Sequence, residues 1–313
     1  MDNVCHTLLG VAVARAGLQR TTSLATTTAA IASNLPDIDV LVFATGVPSV
    51  AFRRGITHGV PAQILLPIGF AGLMWWMARR RPEQAAGARF GALLAISYIG
   101  VLSHVFLDFL NTYGVRLLSP MSGRWFYGDA VFIVDIWLWL MFGAGAWLAG
   151  GIRPPTRPAA GRTTTRPALV ALVCASIYVG AMLASARMAR TIVRDAWTTR
   201  TGGPPHALMV GPVPLNPFRR TVIIDTGDRY FRGRFDWFPA RVTFGDEATL
   251  KNDWLPAVAQ ARQDERIRGI LIWSRFPVWQ TRDVPGAVEV TLRDMRFRDL
   301  DRGGFSATVT VPR

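Results

Sequence analysis

The sequence predicts a mainly α, multi-pass transmembrane helical bundle followed by a small C-terminal α+β domain outside the membrane. Three observations carry that expectation. Half of the 313 residues are hydrophobic and only 18% are charged, which is too apolar for an ordinary soluble chain of this length. Four apolar stretches, Val60 to Ala78, Phe90 to Leu110, Ala130 to Gly150 and Ala168 to Ala186, are each long enough to cross a hydrocarbon core of about 30 Å as helix. Beyond Gly202-Gly203-Pro204-Pro205 the pattern changes to short alternating runs rich in β-branched residues.

The net charge of +14 comes almost wholly from arginine, because Lys251 is the only lysine. Many of these arginines flank apolar spans, where they read as topology signals, so no nucleic-acid partner is expected and membrane lipids are. Arg79, Arg80, Arg81 and Arg89 fill one short connection, and Arg153, Arg157, Arg162 and Arg166 fill another. The positive-inside rule puts both in the cytoplasm. The four spans then alternate, and everything after Ala186 is extracytoplasmic. The start, Met-Asp-Asn-Val-Cys-His, lacks the basic region and cleavage site of a secretory signal and is expected to belong to the mature protein. Cys5 and Cys174 are too far apart in sequence to suggest a disulfide framework. Cys5 beside His6 reads as a small buried residue or as a soft ligand.

Taken in order, Thr7 to Leu18 and Thr22 to Ala32 are too short to cross comfortably and predict a helical hairpin packed on the bundle. Asn34-Leu35-Pro36-Asp37-Ile38-Asp39 stops the hairpin and leaves two carboxylates in a loop. A short apolar stretch, Val40 to Thr45, precedes Arg53-Arg54-Gly55-Ile56-Thr57-His58, which opens the first full span. Residues 152–167 shift to Pro, Arg, Thr, Gly and Ala and read as a solvated linker within a transmembrane domain of residues 1–190. In a second domain, residues 200–313, strands are expected at Arg219 to Asp225, Arg229 to Phe235, Gly269 to Trp273, Ala287 to Leu292 and Ser306 to Val311. Thr226-Gly227-Asp228 joins the first two as a hairpin, and Asp253 to Arg262 reads as a short amphipathic helix.

The chemistry lies in the polar residues of the apolar part. His6, His58 and His104, three of only four histidines, sit in or at the mouths of apolar segments with Asp37, Asp39, Asp108 and Asp135. Ionisable groups at membrane depth cost several kcal/mol unless they find a partner or a metal. His104 and Asp108 are four residues apart and share one helix face. At 1.5 Å per residue, His104 lies ~9 Å inside one end of its span and Asp135 ~8 Å inside the facing end of the next. The predicted topology gathers the other groups at the same outer mouth. Imidazoles and carboxylates together suit zinc, manganese or ferrous iron, and an ion with an open position activates water for hydrolysis. A further carboxylate is available as general base or to orient a histidine, which makes Asp39, Asp135 and His104 the candidate catalytic groups. Arg54, Arg116 and Arg124 near the mouth are candidate contacts for an anionic group such as a phosphate. His206 has no neighbouring ligand partner in sequence and stays outside the site. Each element alone also reads as a helix cap, interhelical glue or interfacial anchor; their convergence on one side favours a metal or catalytic centre.

With these residues in hand, the chain resembles the membrane-bound metal-dependent hydrolase family of bacterial inner membranes, also described as YdjM-like or LexA-binding hydrolases. The matching pieces are Met1-Asp2-Asn3 with His6-Thr7, Leu35-Pro36-Asp37-Ile38-Asp39, Arg54-Gly55-Ile56-Thr57-His58, Ser103-His104 with Leu107-Asp108, Asn111-Thr112-Tyr113-Gly114, and Phe132-Ile133-Val134-Asp135. The resemblance covers residues 1 to about 150 strongly, and the tail looks like the extension of longer members. It implies a multi-pass protein of the bacterial inner membrane with a metal-dependent hydrolytic site. The expected ligands of a divalent metal, zinc first, with manganese or iron as alternatives, are His6, Asp37, Asp39, His58, His104 and Asp108, with Asp135 as ligand or support. The expected substrate is an ester or phosphoester, lipid-derived or otherwise amphiphilic, attacked by metal-activated water at the outer face. Two alternatives stay open: a non-catalytic membrane protein whose tail recruits a partner, and an ion pathway using the intramembrane carboxylates.

Overall fold

A computed structural model describes residues 1–44, 52–150, 164–297 and 305–313. The chain forms two compact units: one holds residues 1–39 and 54–184, the other residues 40–53 and 185–313.

In the first unit, α1 (Asn3–Arg15) and α2 (Ala25–Ala32) form the expected hairpin, joined by a 3-10 turn at Leu18–Arg20. Asp2 caps α1 by accepting the backbone N–H groups of Val4 and Cys5 at 3.0 and 3.1 Å. Its other oxygen accepts the Trp139 indole N–H at 3.0 Å. The Pro-Asp-Ile-Asp segment is not an open loop: Leu35–Ala44 is 3-10 helical, with Asp37 in its first turn. A second 3-10 turn, Ile56–His58, leads into α3 (Val60–Arg79). A single turn at Pro82–Ala85 connects α3 to α4 (Phe90–Phe109). Both long helices are apolar enough to cross a membrane. α3 leaves Ile64, Leu65 and Ile68 exposed, as a lipid-facing surface requires.

The stretch from Ala130 to Gly150 departs from expectation. Residues 130–135 are irregular, and α5 runs only from Ile136 to Leu148, 13 residues, about 20 Å. Three helices among the described residues are therefore long and apolar enough to span: α3, α4 and α6 (Arg166–Thr201). Asp135 supplies the physical reason, because it caps the helix that a hydropathy window had placed it inside. α6 is 36 residues long, so the expected continuation through Arg187 and Arg190 is present. Most of the linker expected at residues 152–167 lies outside the described residues, as does Thr45 of the Val40 to Thr45 stretch. Cys5 is buried, Cys174 is exposed, and neither forms a disulfide.

In the second unit, β1 (Ala207–Pro212), β2 (Arg219–Asp225), β3 (Arg229–Trp237) and β4 (Ala240–Leu250) form an antiparallel sheet in chain order. Alternation decides what each face covers. Val222 and Ile224 pack with Ala189, Val193 and Trp197 of α6, whereas Ile223 packs with Phe276, Val278 and Met295. The latter group belongs to a second antiparallel sheet, β5 (Pro277–Val284), β6 (Ala287–Asp294) and β7 (Ser306–Pro312), and to the turns beside it. Between the sheets lie α7 (Pro256–Ala261) and α8 (Glu265–Trp273). The strand expected at Gly269 to Trp273 is instead the end of α8. Asp264 caps that helix, and Ile267, Ile270 and Trp273 recur every third residue on its buried face. The helix expected at Asp253 starts later, with Leu255 as its N-cap, and β1, β4 and β5 were not anticipated.

Buried Asp294 ties this unit together: it pairs with Arg296 at 2.8 Å and accepts from Ser274 Oγ and from the backbone N–H groups of Arg275 and Phe276. Burial opposes its ionisation, but Arg296 and the backbone donors outweigh that, and the carboxyl stays below its usual range. A depressed pKa contributes stability that is complete above the ordinary aspartate range and is lost as pH falls below it. Asp294→Asn leaves Arg296 without its buried partner and is expected to cost about 3 kcal/mol near neutral pH. Hydrogen exchange of the β6 amides in the full chain, corrected for intrinsic rates, should show protection falling on acidification in the wild type and a flatter, lower profile in the variant.

Candidate metal centre

Four buried side chains converge in the first unit. Asp37, His58, His104 and Asp108 each place one donor atom within 4.8 Å of all the others. They come from three separate pieces of chain: the 3-10 segment after α2, the 3-10 turn before α3, and the C-terminal end of α4. His58 Nε2 lies 3.2 Å from His104 Nε2 and 3.2 Å from Asp108 Oδ2. His104 Nε2 is 3.5 Å from the same oxygen and 3.8 Å from Asp37 Oδ1. A tetrahedral ion with bonds of 2.0–2.1 Å holds its ligands about 3.3 Å apart. The two histidines and Asp108 stand near that spacing, and Asp37 lies slightly further out.

The histidine tautomers sharpen the point. His104 Nδ1 faces the Ser33 carbonyl at 2.7 Å, and a carbonyl only accepts, so Nδ1 carries the hydrogen. His58 Nδ1 faces the Thr57 hydroxyl at 3.0 Å and Asp39 Oδ2 at 3.6 Å, and the carboxylate favours the hydrogen there too. Burial pushes the His58 imidazole below its ordinary range, against the opposing pull of Asp108, so the ring is neutral at physiological pH. With hydrogens on both Nδ1 atoms, neutral rings present their Nε2 lone pairs to each other. Two lone pairs and a carboxylate oxygen facing one another repel unless a cation sits among them. The donor set, imidazole nitrogen plus carboxylate oxygen, fits zinc, manganese or ferrous iron.

Other side chains hold the donors in place. Asp39 Oδ2 accepts the Arg54 backbone N–H at 2.7 Å and the Thr57 hydroxyl at 3.1 Å, so it orients His58 from outside the quartet. Arg54 is buried rather than open at the mouth. Its guanidinium donates to Asp108 Oδ1 at 2.8 Å and to Asn111 Oδ1 at 3.1 Å, which turns Asp108 Oδ2 toward the histidines. The Met1 backbone nitrogen also contacts Asp108 Oδ1. His6 stacks on His104 with ring centroids 3.8 Å apart, and its Nε2 is 3.4 Å from Asp108 Oδ1. It lies against the quartet, not within it, and its two buried ring nitrogens make no hydrogen bond among the described residues.

Asp135 stands elsewhere. Its Oδ1 caps α5 through the N–H groups of Trp137 and Leu138, and its Oδ2 accepts the Tyr178 hydroxyl at 3.0 Å. Asp135 therefore stands at the start of α5, not inside a span as the equal-depth pairing with His104 assumes. Arg116 lies over the Trp125 ring at 5.2 Å and Arg124 over Phe126 at 5.2 Å, the latter exposed. Two contributors escaped sequence reasoning. The Ser33 carbonyl carries no side-chain signal, and Gly59 admits the chain past the Ser119 carbonyl, a position where a Cβ would collide.

These roles separate in metal binding. Asp108→Ala and His104→Ala are expected to abolish near-stoichiometric zinc in the purified, zinc-reconstituted protein, whereas Asp39→Asn lowers affinity about 10- to 100-fold and Asp135→Asn leaves it unchanged. Elemental analysis after dialysis against a graded chelator reads all four.

Comparison with known proteins places this arrangement. Residues 1–189 match the family model described as YdjM inner membrane protein. The chain is also 23% identical over 291 residues to "Uncharacterized protein YfhP" of Bacillus subtilis (strain 168), covering 89% of this chain and 79% of that protein. No solved structure matches. The match spans the whole helical unit and every member of the quartet, and the chain belongs to the YdjM inner membrane protein family.

Proposed function

We propose that this inner-membrane protein is a metal-dependent hydrolase acting on an ester or phosphoester of an amphiphile. The observation that carries the reading is the pair of tautomer-locked Nε2 atoms, 3.2 Å apart beside Asp108 Oδ2. Asp37, His58, His104 and Asp108 would hold the ion, with zinc the first choice. A divalent ion bound there supplies a Lewis acid and lowers the pKa of a coordinated water toward neutrality. Asp39 and the Ser33 carbonyl keep both imidazoles in the ligating tautomer, and Arg54 keeps Asp108 turned inward. His6, with its ring nitrogens uncommitted beside Asp108, is the base placed to accept and return a proton. This role passes to His6 because Asp39 Oδ2 is engaged by Arg54 and Thr57 and Asp135 caps a helix.

A groove of about 390 Å³ supports an amphiphilic substrate. It is apolar and is lined by Leu9, Ser103, Phe106, Leu107, Phe142 and Val179 among others. Ser103 and Leu107 of α4 directly precede His104 and Asp108, so the groove runs along the helix strip beside the ligands. Arg116 and Arg124 suit an anionic head.

The reading also assigns a side. Arg79, Arg80, Arg81 and Arg89 gather where α3 ends and α4 begins, and the quartet lies at the other end of α4. The positive-inside rule puts the arginines in the cytoplasm and the centre at the outer face; the C-terminal unit is outside as well where the short α5 also crosses, which the Gly202 position reads. Cysteines introduced at Ser122 and Gly202 should react with an impermeant maleimide added outside intact cells, and one at Gln84 should not. The reverse pattern moves the centre to the cytoplasmic side.

The activity is checked with purified protein loaded with zinc, manganese or ferrous iron, incubated with p-nitrophenyl esters, bis(p-nitrophenyl) phosphate and phospholipid vesicles. Turnover is expected that vanishes in His104→Ala and Asp108→Ala and falls at least tenfold in His6→Gln with metal content retained. Wild-type protein that binds metal yet releases no product above the His104→Ala background would leave a structural metal site instead.

A further inference from the structure

The first sheet of the C-terminal unit is tied to α6 at two heights. Near one end, the Ser185 hydroxyl accepts from the Arg220 guanidinium at 3.1 Å and from the Trp237 indole N–H at 2.8 Å. Three turns further along, Trp197 meets Phe231 and Phe244, with ring centroids 5.2 and 5.3 Å apart. β3 therefore runs alongside α6, with Trp237 at the Ser185 end and Phe231 at the Trp197 end. The β1–β2 connection and the two-residue β3–β4 turn, Phe238-Pro239, fall at the Ser185 end, where the Trp237 N–H donates to the Phe218 carbonyl at 2.9 Å.

Ser185 also marks a boundary along α6. Residues Pro167 to Ala186 carry no charge, and 20 helical residues span about 30 Å, the thickness of a hydrocarbon core. Arg187 is the first charge after them. The turns at this end of the sheet hence sit level with the place where α6 leaves the lipid.

Their composition matches that position. Leu215 is 64% exposed, Phe218 53% and Phe238 78%, and the two phenylalanine rings pack edge-on at 5.2 Å. Arg187, Arg219, Arg234 and Arg241 are exposed around them. At the other end of the sheet the β2–β3 turn is Thr226-Gly227-Asp228, and exposed Leu250 and Trp254 are interleaved with Lys251, Asn252 and Asp253. Apolar rings with flanking arginines are what a headgroup–acyl boundary selects.

We infer that Leu215, Phe218 and Phe238 form an interfacial anchor that seats this end of the sheet in the lipid surface at the exit of α6. The inference does not depend on hydrolysis. It explains why three large apolar side chains cluster in exposed turns at the end of the sheet where α6 leaves the lipid, and it would hold the sheet upright along α6.

Spin labelling of the full chain in phosphatidylcholine/phosphatidylglycerol vesicles tests it. In a Cys174→Ala background, with buried Cys5 left in place, nitroxides are attached through Phe238→Cys, Leu215→Cys and, as an aqueous reference, Asp228→Cys. Labels at 238 and 215 should collide with oxygen more than with a water-soluble nickel chelate, with nickel accessibility at least threefold below that at 228. Equal nickel accessibility at all three positions overturns the anchor. Loss of access to both reagents at 238 and 215 overturns it too, since it would mark a contact with protein. Replacing Phe218 and Phe238 by serine in the Leu215→Cys chain should raise nickel accessibility toward the reference, and no change would remove the two rings from the anchor.

Discussion

The helical unit depends on one contact, the approach of His58 Nε2 to His104 Nε2 at 3.2 Å with Asp108 Oδ2 beside both. Nothing about two neutral imidazoles favours it. The Ser33 carbonyl and the Asp39 carboxylate favour ring hydrogens on the far sides, which in neutral rings leaves lone pair facing lone pair in a buried site. Such an arrangement is costly in a low-dielectric interior and persists only where the surroundings fix it or a cation fills it. Here the surroundings are one backbone carbonyl and one carboxylate. Ser33 caps α2, Asp39 lies in the following 3-10 segment, and both His104 and Asp108 stand on α4.

Close packing of backbone makes that convergence possible. A Cβ on Gly100 of α4 would lie 2.6 Å from Ala32 Cβ and 2.9 Å from the Ser33 nitrogen. Glycine there lets α2 approach until its last carbonyl reaches His104, one turn further along α4. Gly59 does the same for the other histidine, allowing the chain after His58 to pass the Ser119 carbonyl while the Val60 N–H donates to Leu117 O at 3.0 Å. Two glycines thus set how near the histidines come.

Much of this was legible in the sequence, for a physical reason. His104 and Asp108 share a face at helical spacing, and scarce histidines in apolar segments with aspartates nearby are expensive enough to require an explanation. The roles within the group were less legible. Asp135 and Asp37 look alike as aspartates beside apolar runs, and only the start of α5 at Ile136 shows that one is a cap. Arg54 read as a contact for an anionic group because its neighbours lie at a span's mouth. Its inward turn depends on a left-handed backbone, φ 54°, that lets its own N–H reach Asp39 while the guanidinium reaches Asp108. In the C-terminal unit, hairpin-linked β2 and β3 were visible from their turn, but α8 was not. Its signal, a capping Asp264 with Ile267, Ile270 and Trp273 behind it, begins upstream of the β-branched run that drew attention.

The balance of charge connects the centre to the stability of the bundle. Asp37, Asp39 and Asp108 are buried around it, and Asp108 is met by the Arg54 guanidinium and by the Met1 amino group. A divalent ion held there would add positive charge where these three carboxylates gather. Without compensation the three chain segments that supply the ligands repel at the point where they must meet. With an ion bound they would be cross-linked, because Asp37, His58 and the α4 pair come from separate pieces of chain. Binding of a dication there would therefore be coupled to assembly of the helical hairpin onto α3 and α4, and the ligands that would polarise a substrate would also hold the bundle closed.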